Sequence, residues 1–70
     1  MDWPRIVGAN IRRLRKDRGA TLEDLAGEAG LDEGYLGKIE RGLENPSLNK
    51  LLGIANTLEV SPAVFFVKLK

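Results

Sequence analysis

The stretch TLEDLAGEAGLDEGYLGKIERG, residues 21–42, decides the fold. It reads as two short helices joined by a tight turn. Thr21 can accept from a free N–H at a helix start, and Asp24, three residues on, can return the bond, a T-x-x-D capping box. Leu22, Leu25, Ala26 and Ala29 follow at spacings 3, 1 and 3, one face of a helix. Gly30 breaks the pattern where a helix end calls for a left-handed residue. Asp32 then caps a second helix with Leu36 and Ile39 on its buried face, and Gly42 ends it.

Capping boxes and terminal glycines occur in many proteins, so each signal alone is weak. Together they give two helices of about two turns, a Gly-containing turn of about four residues, and small Ala26 where the helices approach. That is the spacing of a DNA-binding helix-turn-helix. An ordinary helical hairpin inside an all-α domain fits the same pattern and stays open at this point.

Seventy residues make one domain, 1–70. A chain this short buries only about 60% of its unfolded surface, so a partner subunit often helps. With no cysteine there is no disulfide framework and no thiolate metal site. With no histidine the commonest general base and metal ligand is missing too. No catalytic constellation is visible, and no enzyme, cofactor or metal is expected. No apolar run approaches the ~20 residues that span a bilayer, and MDWPRIVG lacks the long apolar stretch of a signal peptide. A soluble cytoplasmic protein is expected.

Net charge is only +1, but its distribution is uneven. Residues 1–18 carry six basic and two acidic groups, residues 19–46 two basic and seven acidic, and residues 47–70 three basic and one acidic. A nucleic-acid binder usually shows a basic face. Here the candidate reading unit is itself acidic, which counts against DNA binding.

Residues 1–5 read as a short arm, with Trp3 packing back onto the domain and Pro4 suited to a helix's first turn. Val7, Ile11 and Leu14 mark a first helix over about residues 5–18, closed by Gly19. Its basic residues read mostly as a solvated face. After Gly42, Asn45-Pro46 marks a loop and Ser47 caps a fourth helix carrying Leu48, Leu51, Leu52, Ala55 and Leu58. It should end near Leu58 or Glu59. Ser61-Pro62 opens a short fifth helix over about residues 62–67. Phe65 and Phe66 are adjacent, so one should enter the core and the other stay exposed with its apolar neighbours. An exposed apolar patch near a terminus points to a subunit contact. Cover for both aromatics within the domain is the competing reading. The expectation is five helices, with no strand, repeat or low-complexity segment.

The string LDEGYLGKIERGLENPSL, with TLEDLAGEAG before it and LLGIANTLEVSPAVFF after it, resembles the Cro/phage-repressor-like (XRE-type) helix-turn-helix family. The likeness covers about residues 7–66. It includes Ile11, Arg12, Leu14 and Arg15 of helix one and Thr21, Leu25 and Ala26 of helix two. It continues through Ile39-Glu40-Arg41-Gly42, Asn45 to Leu48, and Val60 to Phe66. The tyrosine in the third helix and the V-S-P-A-V-F-F ending look most like small restriction–modification controller proteins.

The resemblance implies an all-α, five-helix lambda-repressor-like domain, with helix three, residues 33–41, in the DNA major groove. It implies a homodimer on a two-fold-related operator and a role as a bacterial or phage transcriptional regulator. Arg15 and Glu40 match a structural ion pair of the family. Thr21 opens helix two, whose free N–H groups and positive dipole end suit a phosphate. Arg41, Asn45 and Ser47 match phosphate-contacting positions of the family, and Lys50 could join them. Leu22 stands where the family usually has a backbone-gripping glutamine. Base reading would fall to Glu33, Gly34, Tyr35, Gly37 and Lys38. Lys38 can donate to guanine and Glu33 can accept from cytosine N4. Tyr35 can pack on a thymine methyl or bond a phosphate, and the two glycines let the helix lie close to DNA. Val64, Phe66, Val67 and Leu69 would form the dimer contact.

Glu33 departs from the family's usual arginine or other polar donor. With Asp32 it can simply favour the helix start. Acidic groups near phosphate imply weak, salt-sensitive binding or a cytosine-rich site. The acidic segment keeps a second function open, a protein-interaction module of antitoxin or antirepressor type.

Overall fold

The computed structural model describes residues 1–68. Four α-helices follow in order, α1 (Trp3–Asp17), α2 (Leu22–Ala29), α3 (Glu33–Glu40) and α4 (Leu48–Leu58), and a 3₁₀ segment spans Pro62–Phe66. No strand occurs among the described residues. The fold is all-helical among the described residues.

Two expectations about the ends need correction. The fifth helix is a single 3₁₀ segment, with Val64 N donating to Ser61 O at 3.1 Å. Five residues are too few to repay nucleation of an α-helix, and the tighter winding suits a short terminal turn. The arm over residues 1–5 is also shorter than expected. The Asp2 carboxylate accepts from Arg5 N at 3.3 Å and Pro4 occupies the first turn, so α1 starts at Trp3.

The core gathers one face of every element. Val7 and Ile11 come from α1, Leu25 and Ala26 from α2, Leu36 and Ile39 from α3, and Leu51, Ile54, Ala55 and Leu58 from α4, around fully buried Phe65. On α4 the buried stripe differs from the expected one. Ile54 is inside, while Leu48 and Leu52 are exposed. Both stripes satisfy a 3.6-residue period, and α4's contacts with α2 and the 3₁₀ segment select the one used.

Two α1 residues fix the neighbours of that helix. Gly8 is packed against the last turn of α3; a Cβ there would lie 2.1 Å from Ile39 O. Asn10 is fully buried, and its Nδ2 donates to Phe65 O and Val67 O, each at 2.8 Å. Its Oδ1 has no protein partner. Helix α1 is therefore the frame on which both α3 and the C-terminal segment are hung.

Candidate nucleic-acid interface

The α2–α3 corner is set by its caps. Thr21 Oγ1 accepts from Asp24 N, and Asp24 Oδ2 accepts from Thr21 N, both at 3.0 Å. These bonds hold the Asp24 carboxyl below its ordinary range, the Thr21 backbone N–H contributing most. Gly30 turns the chain with φ 70°, and Leu31 N donates to Ala26 O at 2.8 Å. Asp32 then starts α3, accepting from Tyr35 N at 3.0 Å.

With Leu36 and Ile39 turned inward, the opposite face of α3 carries Gly34, Gly37, Lys38 and Arg41 at spacings 3, 1 and 3. Gly34, Lys38 and Arg41 are exposed, and Gly37 is half-buried. Arg41 Nε donates to Gly37 O at 3.3 Å. Glu33 is exposed at the start of the helix. Tyr35 lies on the flank, half-buried against the core, with Lys50 Nζ 4.6 Å from its ring centroid. Ser47 caps α4 by accepting from Lys50 N at 3.2 Å, and Asn45 is exposed just before it. Thr21 is exposed at the start of α2.

Arg15 and Glu40 fasten the far end of α3 to α1. Arg15 Nε reaches Glu40 Oε2 at 2.7 Å, Nη2 reaches Oε1 at 2.9 Å, and Nη1 donates to Ala20 O at 3.0 Å. The hydrogen bonds to Glu40 push the guanidinium above its ordinary value, so it stays charged across the accessible pH range. The fork also uses up the Glu40 charge.

That matters for the acidic segment, residues 19–46. Of its seven carboxylates, Asp24 and Asp32 serve as caps and Glu40 is paired. A groove of about 700 Å³ runs beside α3, lined by Arg12, Arg15, Leu22, Asp32, Glu33, Gly34, Gly37, Glu40 and Arg41. Asp32 and Glu40 are already engaged there, which leaves Glu33 as the free acid of that groove. Arg12 and Arg41 are exposed beside it. Of these acids only Glu40 is offset by a bound cation, while Asp24 and Asp32 act at helix starts.

Arg12 and Leu22 were not read as site residues from the sequence. Arg12 stands one turn before Arg15, so the spacing could have placed it near α3. Of the expected dimer residues, Phe66 and Val67 are exposed, and Val64 is half-buried against the core. Leu69 lies outside the described residues. Trp3 joins this patch by an edge-to-face contact with Phe66, centroids 5.9 Å apart.

Comparison with known proteins places this geometry. A helix-turn-helix family model, HTH_3, matches residues 11–65. An uncharacterized HTH-type transcriptional regulator, y4dJ of Sinorhizobium fredii, is 39% identical over 61 residues, 87% of this chain and 79% of that one. The chain spans only 40–51% of the length of three other curated regulators it matches. The restriction–modification controller protein C.AhdI of Aeromonas hydrophila superposes with a TM-score of 0.87 at 38% identity, over 90% of this chain and 96% of that one. The biofilm master regulator SinR, solved in complex with DNA, superposes with a TM-score of 0.82 at 37% identity, over 87% and 98%. The chain belongs to the HTH_3 (XRE-type) helix-turn-helix family.

Proposed function

We propose that this protein is a sequence-specific, DNA-binding transcriptional regulator, built as one domain and acting in the cytoplasm as a homodimer on a two-fold-related operator. One observation carries this reading. The outward face of α3 presents Gly34, Gly37, Lys38 and Arg41 to solvent, flanked by the capped starts of α2 and α4. Helix starts offer N–H groups and a positive dipole end to phosphate. Thr21, Asn45 and Ser47, with Arg41 and Lys50, grip the DNA backbone. Glu33, Gly34, Tyr35, Gly37 and Lys38 face base edges. Phosphate contacts set affinity and base contacts set sequence. Phe66 and Val67, with Val64, pair the two copies. SinR has been solved with DNA, and it shares this fold at 37% identity.

Selection from randomised duplex DNA at low and moderate salt tests the reading. Enrichment of an inverted repeat with half-sites one helical turn apart, about 34 Å, is expected. Weak, salt-sensitive binding with no enriched sequence would contradict it. That result would favour the protein-interaction module, which the exposed acids Glu23, Glu28 and Glu33 support.

A further inference from the structure

Lys50 has two possible relations to DNA. It stands among the phosphate-contacting residues, and it also acts through the residue it touches. Its ammonium lies over the Tyr35 ring, 4.6 Å from the centroid. This is the cation–π contact found among the described residues, and it joins α3 to the first turn of α4. The backbone N–H of Lys50 is held by the Ser47 cap, so the stem leaves from a fixed point. The Tyr35 ring is half-buried against the core. It therefore has apolar packing from its own domain and a cation over one face. The core behind the ring and the cation over its face favour one ring orientation, and the exposed Lys50 side chain is biased toward that contact before DNA arrives.

We infer that Lys50 is a positioning residue for Tyr35, and that the two residues work as a single specificity element for duplex DNA. The inference rests on the proposed reading of α3 as the helix that meets DNA. Tyr35 and Lys38 are three residues apart and neighbour each other on α3. Fixing Tyr35 beside Lys38 sets two adjacent contacts with one constraint. Lys50 then influences which base is preferred, although it stands on another helix. A lone phosphate contact would not do this, because phosphates carry no sequence. Arginine can replace lysine in this role, since its planar guanidinium stacks on an aromatic face. Methionine keeps the length of the stem and removes the charge.

The test is a double-mutant cycle on the duplex selected by the wild-type protein. Lys50→Met, Tyr35→Leu, the double variant and Lys50→Arg are titrated by fluorescence anisotropy at several salt concentrations. Thermal melts of each variant separate folding losses from binding losses. The expected result is strong coupling, with the double variant losing at least about fivefold less affinity than the product of the single losses. Lys50→Met should also relax base preference at one position of each half-site, and Lys50→Arg should restore it. Additive losses, with base preference unchanged and the salt slope reduced by about one phosphate contact, would overturn the inference and leave Lys50 as an independent charge. Coupling of the same size in the thermal melts would also overturn it, because the pair would then serve folding alone. A wild-type protein that selects no duplex would remove the reading beneath it, an outcome distinct from additivity in the cycle.

Discussion

Glu40 braces α3 against α1 through Arg15. It adds negative charge to the helix-turn-helix, yet its carboxylate is closed in a fork with Arg15, with side chains only 5% and 11% exposed. Removing one member of such a pair strands the other, at a cost of about 3 kcal/mol. Glu40→Gln should therefore lower the melting temperature by more than about 10 °C, read by circular dichroism. A shift of a degree or two would show the fork to be dispensable. Asp24 makes a second residue-scale prediction. Its carboxyl is held low by the Thr21 N–H and hydroxyl. Its stabilisation is therefore present above the ordinary carboxylate pKa and disappears as pH falls through the depressed value. The protection of amides at the start of α2, corrected for their intrinsic exchange rates, should fall in acid, and Asp24→Asn should remove that pH dependence. Equal pH dependence in both proteins would assign the fraying to other groups.

At the scale of elements, α1 decides where α3 stands. Gly8 lets the last turn of α3 come so close that a methyl group would overlap the Ile39 carbonyl. Gly8→Ala should force the helices apart and cost about 3 kcal/mol, by urea denaturation. The surviving folded fraction should bind its duplex more weakly, since α3 is displaced. An unchanged midpoint would mean that the backbone yields without loss. This contact was invisible in the sequence, where Gly8 breaks no pattern. The same holds for Asn10, whose partners Phe65 and Val67 lie 55 and 57 residues away. By contrast, the starts of α2, α3 and α4 were legible, because caps are local chemistry within three residues. Thr21, Asp32 and Ser47 all cap as read. The start of α1 was also local, but the Asp2 signal stood so near the terminus that Trp3 to Arg5 read as an arm. The choice of stripe on α4 was not local: Leu52 and Ile54 fit a helical period equally well, and only packing excluded Leu52. The outward row of α3 followed directly once Leu36 and Ile39 were known to face inward. The groove-lining place of Arg12 needed the fold.

At the scale of the molecule, an apolar patch lies away from the core. Phe66 and Val67 are 43% and 55% exposed, and Trp3, at 46%, stacks edge-on against Phe66. Phe66→Asp should leave a folded monomer with much weaker DNA binding, because two linked half-site contacts become one. Unchanged mass by light scattering would remove this patch from the proposed dimer. The central claim is that the outward face of α3 reads base edges, and a comparison of selected duplex pools tests it most directly. Pools bound by Glu33→Gln and Lys38→Ala should keep the overall inverted repeat and each lose preference at a single position per half-site. The lost discrimination should be about 1–3 kcal/mol, or roughly 5- to 150-fold. Pools indistinguishable from wild type for both variants would contradict the claim and place sequence reading, if any, elsewhere on the molecule.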